Sequence, residues 1–83
     1  MPELFRFFGF VFFFYSREHE PVHVHVEGNG GEAKYTLDKR TGLFVLQYTI
    51  GIKAGDLKKI EQIIKDNTEI IKQAWRVYFQ EDA

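Results

Sequence analysis

The chain has 83 residues and a mass of 9.8 kDa, so it has room for one domain, residues 1–83, and one core; folding at this size buries only about 60–65% of the unfolded surface. Hydrophobic residues make up 45% and charged residues 28%, the mix of an ordinary globular domain, not a disordered tail. The absence of cysteine excludes disulfide scaffolds, cysteine zinc fingers, iron–sulfur clusters and thiol catalysis, and a net charge of −1 lacks the basic excess of a nucleic-acid binder.

Seven of the nine phenylalanines fall between Phe5 and Phe14. The run has no basic flank or small-residue cleavage site and is far short of the ~20 apolar residues of a membrane-spanning helix, so neither a leader nor a membrane segment is expected. From Phe5 to Tyr15 the pattern predicts one strand. Its apolar, aromatic and β-branched residues do not alternate with polar ones, which places it centrally, covered on both faces. Gly9 is expected to mark a bulge or a close approach.

After the polar turn Ser16–Pro21, Val22, Val24 and Val26 alternate with His23, His25 and Glu27, the period of a half-buried strand. Asn29-Gly30 predicts a two-residue type I′ hairpin loop. That loop sets Gly28 opposite Gly31, Glu27 opposite Glu32, Val26 opposite Ala33, His25 opposite Lys34, Val24 opposite Tyr35 and His23 opposite Thr36. The valines then share a face with Ala33, Tyr35 and Leu37, and the histidines share the other with Glu27, Glu32, Lys34 and Thr36. A slip of one residue would undo that sorting.

A turn follows over residues 38–42, and Phe44 to Ile50 predicts a further strand. Gly51 and Gly55 break the chain before a helix with Asp56 as its N-cap. From Leu57 to Phe79 the apolar residues recur at helical spacing, among them Ile60, Ile64, Ile71, Trp75 and Tyr78. Asp66-Asn67-Thr68 is where a bend or break is expected. Trp75 and Tyr78 are expected to pack on the sheet, with Val24 or Tyr35 as neighbours. The expected fold is α+β: an antiparallel sheet of three or four strands covered by one long C-terminal helix.

Chemistry concentrates at His19, His23 and His25. Residues two apart on a strand project from one face with Cα atoms ~6.5–7 Å apart. His23 and His25 can therefore converge on one metal, and His19 can fold back across the Pro21 turn as a third ligand. Imidazole favours zinc or a similar transition ion over calcium or magnesium. Glu18, Glu20, Glu27 and Glu32 are nearby carboxylates, whereas Lys34, opposite His25, would repel a cation. The competing reading of this face is plain: solvated polar residues, or a surface covered by a partner. There is no phosphate-binding glycine loop and no nucleophile elbow.

The segment Phe8-Gly9-Phe10 through Tyr15-Ser16, then Glu18-His19-Glu20-Pro21-Val22-His23-Val24-His25-Val26, then Gly31-Glu32-Ala33-Lys34, with Ala74-Trp75 and Tyr78-Phe79 near the end, resembles the bacterial family grouped as domain of unknown function 4160. Where the family commonly has two successive prolines, this chain has Pro21 and Val22. The resemblance implies a cytoplasmic bacterial or archaeal domain, encoded beside another small protein in a toxin–antitoxin-like arrangement. It marks His19, Pro21, His23 and His25, and implies no particular activity.

Three functions are consistent with these residues. The first is a histidine-centred, metal-binding site in a small interaction or toxin–antitoxin-like protein. The second is a nuclease-type hydrolase with His23 or His25 as general base and Lys34 or Arg17 steadying phosphate charge. The third is a non-enzymatic module that binds an adjacent-gene product through an edge strand or the helix. A homo-oligomer is a further expectation, with no surface assigned to it.

Overall fold

The computed structural model describes residues 3–15 and 21–80. They form one five-stranded antiparallel sheet in the order β1(Glu3–Phe7), β2(Phe10–Phe13), β3(His23–Gly28), β4(Gly31–Asp38) and β5(Leu43–Ile50), followed by helices α1(Ala54–Asp66) and α2(Thr68–Phe79). Each strand pairs with its sequence neighbour, so the sheet is a simple meander. The α+β class is as the sequence predicts, with more strands and one more helix than expected.

The extra strand arises inside the phenylalanine run. In place of one strand from Phe5 to Tyr15, the chain reverses at Phe8-Gly9, with Phe7 opposite Phe10. Both loop residues have positive φ, 32° at Phe8 and 87° at Gly9. Phenylalanine is a poor residue for that conformation, which is why no turn was legible there. Central placement holds for β2, which lies between β1 and β3; β1 is an edge.

The β3–β4 hairpin has the expected register at all six pairs, from His23↔Thr36 to Gly28↔Gly31. Its loop residues Asn29 and Gly30 have φ of 50° and 80°, the left-handed pair of a type I′ turn. The glycines that flank the loop leave no space for side chains. A Cβ on Gly28 would collide with the Gly9 carbonyl oxygen and the Phe10 ring, and one on Gly31 would lie 2.7 Å from the Gly51 carbonyl. The hairpin tip is thus clasped by the β1–β2 turn on one side and the exit of β5 on the other.

The sequence places Asp56 at the N-cap of the helix, but α1 begins three residues earlier than that cap implies, at Ala54. Lys53 is the N-cap, with no side-chain cap bond, and Asp56 lies in the first turn, where a carboxylate still favours the helix dipole. The expected break falls at Asn67. Its side-chain amide donates to the Ile63 carbonyl at 2.8 Å, and the Thr68 hydroxyl donates to the Ile64 carbonyl at 2.9 Å. These side-chain bonds reinforce carbonyls that the Asn67 backbone amide also reaches, at 3.0 Å for Ile63 and 3.2 Å for Ile64.

Both helices cover one sheet face. The core there joins Phe10, Phe12, Phe14, Val22, Val24, Val26, Ala33 and Tyr35 to Ile60, Ile64, Ile71 and Trp75. Trp75 is fully buried, as expected, and its ring lies 5.1 Å from that of Phe14. Tyr78 stays 40% exposed, touching Phe14 and Phe79 at the rim instead of packing on the sheet. None of the described helices is long and apolar enough to cross a membrane. The buried Tyr35 donates its hydroxyl proton to Glu61 at 3.1 Å, tying β4 to α1.

Two measurements test this packing. Gly28→Ala is expected to lower stability by about 1–3 kcal/mol or more, because backbone surrounds the new methyl group. Gly55→Ala, with nothing within 4 Å of the added carbon in the first turn of α1, is expected to raise stability by about 0.5–1 kcal/mol. Urea denaturation of both variants checks this opposition of sign. The second test uses Tyr35, whose ionisation is pushed up by burial and then by the Glu61 charge. The unfolded chain releases that proton near pH ~10 while the folded chain retains it. The contribution to stability is therefore complete below pH ~10 and declines as pH rises above it. Tyr35→Phe removes that titration, so its melting temperature should fall less than that of the parent protein between pH ~10 and ~11.5.

Candidate functional site

The sheet face turned away from the helices is built on β3. Val11 and Phe13 of β2, His23, His25 and Glu27 of β3, and Glu32, Lys34 and Thr36 of β4 share it, as their pairings require: Phe13↔His25↔Lys34 and Val11↔Glu27↔Glu32. The ladder extends one step beyond β3, since the Leu37 amide donates to the Val22 carbonyl at 2.8 Å. That bond fixes the chain just before His23.

A solvated histidine face is the reading that the structure overturns. His23 is 3% exposed and His25 is 5% exposed. Phe13 of β2 and Tyr15, two residues beyond the end of that strand, pack against this side. The His25 ring stacks on Phe13 at 5.6 Å with 22° between planes and meets Tyr15 edge-on at 4.5 Å. The two imidazoles lie 5.2 Å apart, nearly perpendicular, and the His23 ring is also 5.1 Å from Trp75. Because His23 opens β3, its ring lies at the end of the strand, where α2 brings the Trp75 indole up to it.

The His23 Nδ1 lies 2.7 Å from the Pro21 carbonyl oxygen. A carbonyl only accepts, so Nδ1 carries the proton and, in the neutral ring, Nε2 carries the lone pair. Further along the face, Glu27 and Glu32 form a like-charge cross-strand pair. The Tyr15 hydroxyl donates to Glu27 at a long 3.5 Å, and burial, followed by the charge of Glu27, raises the ionisation of that phenol. A shallow concavity of about 740 Å³ opens there, floored by Val11 and Phe13 and edged by Glu27 and Glu32. Its far rim is the two-point ion pair of Arg6 with Glu3, at 2.7 and 2.9 Å.

The structure thus brings together His23, His25, Glu27, Glu32 and Lys34. His19, with Arg17, Glu18 and Glu20, lies outside the described residues. Among the described residues, no group of three or more histidines and carboxylates is placed to hold a metal ion. Phe13, Tyr15 and Trp75 were missed as site residues. The parity of β2 relative to β3 would have exposed the first two, but a single long strand hid it. Trp75 could be placed only by the helix break.

A family model described as a domain of unknown function, DUF4160, matches residues 9–76. The chain belongs to the DUF4160 family. No curated protein and no solved structure matches it. The DUF4160 match spans the whole histidine face from Val11 to Thr36 and reaches Trp75, while Glu3 and Arg6 fall before it. The rim ion pair is therefore outside the matched region, and the histidines and their aromatic wall are inside it.

The paired carboxylates give a direct test. Glu32→Gln removes the like charge opposite Glu27 and leaves the Tyr15 contact in place. Stability at pH 7 and low salt is expected to rise by about 0.2–1 kcal/mol. Added salt should shrink the difference, which thermal unfolding at two ionic strengths would register.

Proposed function

We propose that this DUF4160 domain is a binding module whose sheet face holds a transition metal, zinc being the best fit, through His23 and His25. The bond from His23 Nδ1 to the Pro21 carbonyl carries the reading. Metal-bound imidazoles ordinarily donate their other N–H to a carbonyl or carboxylate, which fixes the tautomer and aims the lone pair. The near-perpendicular ring of His25, 5.2 Å away on the same face, supplies a second nitrogen. Tetrahedral zinc needs further ligands. We assign these to the Glu18-His19-Glu20 segment, where His19 completes the H-x3-H-x-H spacing.

Burial supports binding over hydrolysis. A general base must come within ~2.6–3.2 Å of the proton that it removes. Both imidazoles are packed against aromatic rings, which hinders a polynucleotide from reaching them. Lys34, in register with His25, opposes a cation, and Glu32 and Glu27 on the same face offset it.

Calorimetric titration of the metal-free, untagged protein with zinc tests the proposal. Binding at micromolar or tighter affinity is expected at neutral pH, weakening as the solution is acidified because a protonated imidazole has no lone pair to give. His23→Ala and His25→Ala should each weaken it at least tenfold, and Lys34→Met should strengthen it. Unchanged binding in both histidine variants would refute the assignment. RNA degradation by the parent protein that is lost in His23→Ala would favour the nuclease reading instead.

A further inference from the structure

The two edges of the sheet differ in kind. The β1 edge is five residues long, is interrupted by a bulge between Glu3 and Phe5, and carries the Arg6–Glu3 ion pair. Charge and brevity are among the devices by which proteins keep an edge from pairing with another chain. The β5 edge runs for eight residues, Leu43–Ile50, without a charged side chain or a proline, and among the described residues no strand lies beyond it. Its outward side chains are Leu43, Val45, Tyr48 and Ile50, with exposures of 53%, 45%, 43% and 63%.

We infer that β5 pairs with the β5 strand of a second copy of this chain, antiparallel about a two-fold axis, joining two sheets into one. The bulge in β5 supplies the argument for self-pairing. Lys34 opposes Tyr48 and Tyr35 opposes Leu46, so Gln47 is the extra residue. It switches the alternation, putting Leu43 and Val45 on the same face as Tyr48 and Ile50. In an antiparallel pair of identical strands, that switch lets Leu43 face Ile50 of the copy and Val45 face Tyr48 of the copy. All four outward apolar residues are then matched on one face, and Phe44 faces Thr49 on the other. A strand without the switch could not make these pairs, because residues of opposite parity point to opposite faces.

Charge agrees with this occupant. An uncharged strand meets its own copy without like-charge opposition, whereas it offers no charge pattern by which to select a different partner. Beside β5 a groove of about 520 Å³ separates Phe44 and Leu46 from Ile64 and Lys65 of α1. The added strand extends the sheet under this groove, so that the half-buried Phe44 and Leu46 of both copies lie in one layer. The contact is a strip ~26 Å long by ~10 Å deep. That falls below the ~800 Å² per partner of a standard stable interface, which puts the dimer in a concentration-dependent range.

Sedimentation equilibrium of the full chain from micromolar to millimolar concentration, with a metal chelator present, tests the inference independently of the metal site. A reversible rise to twice 9.8 kDa is expected. V45E and Y48K, at exposed positions, should each weaken association at least tenfold while circular dichroism shows the fold retained. The double variant V45E/Y48K sets opposite charges across the axis twice and should restore association. A parent protein that stays monomeric at millimolar concentration overturns the inference. So does association that the single variants leave unchanged, that the double variant fails to restore, or that requires zinc.

Discussion

The fold depends on the hairpin turn at Asn29-Gly30. Two adjacent residues with positive φ make the reversal, and glycine on either side lets other backbone close upon it. The turn fixes the register of β3 on β4, and the register sorts valine from histidine. Valine then meets the helices, and histidine meets the side chains of β2. The close approach of Gly9 to Gly28 and of Gly51 to Gly31 extends the same control outward. A short domain with a single core has little apolar area to spare. Holding three turns against one another through backbone contacts limits the conformational freedom that this core must restrain.

The histidine face illustrates how a polar pattern on a strand can end up buried. His23 and His25 meet aromatic rings from other elements: Phe13 of β2, Tyr15 just beyond that strand, and Trp75 of α2, a helix of the opposite layer. Trp75 reaches that position because the helical segment breaks at Asn67, where the Asn67 and Thr68 side chains add hydrogen bonds to the Ile63 and Ile64 carbonyls at the end of α1. One uninterrupted helix would carry Trp75 along a different line. The break and the histidine environment are thus parts of one arrangement.

The two outer strands divide the remaining roles. β1 carries charge and a bulge and closes its side of the sheet, and its Arg6–Glu3 pair forms the far rim of the concavity beside Glu27 and Glu32. β5 keeps apolar side chains in solvent, and its bulge puts them on one face. Exposed apolar residues on an unpaired edge favour association with another strand. Ile50 of β5, opposite Glu32, also lines that concavity, so the apolar edge and the histidine face adjoin on one side of the sheet.

The sequence by itself determined the β3–β4 hairpin, its register, the α+β class and the grouping of His23 and His25, because each rests on local rules. A type I′ turn needs particular residues, a strand alternates with period two, and a helix has its own spacing. It also located the break near Asn67. Only the tertiary structure decided that the phenylalanine run folds back at Phe8-Gly9, since a non-glycine residue with positive φ is held there by packing and leaves no local signal. Likewise, only the assembled layers decided that the histidines are buried. Burial depends on which strand lies alongside and where a distant helix ends, and neither is encoded in the spacing of the residues that become buried.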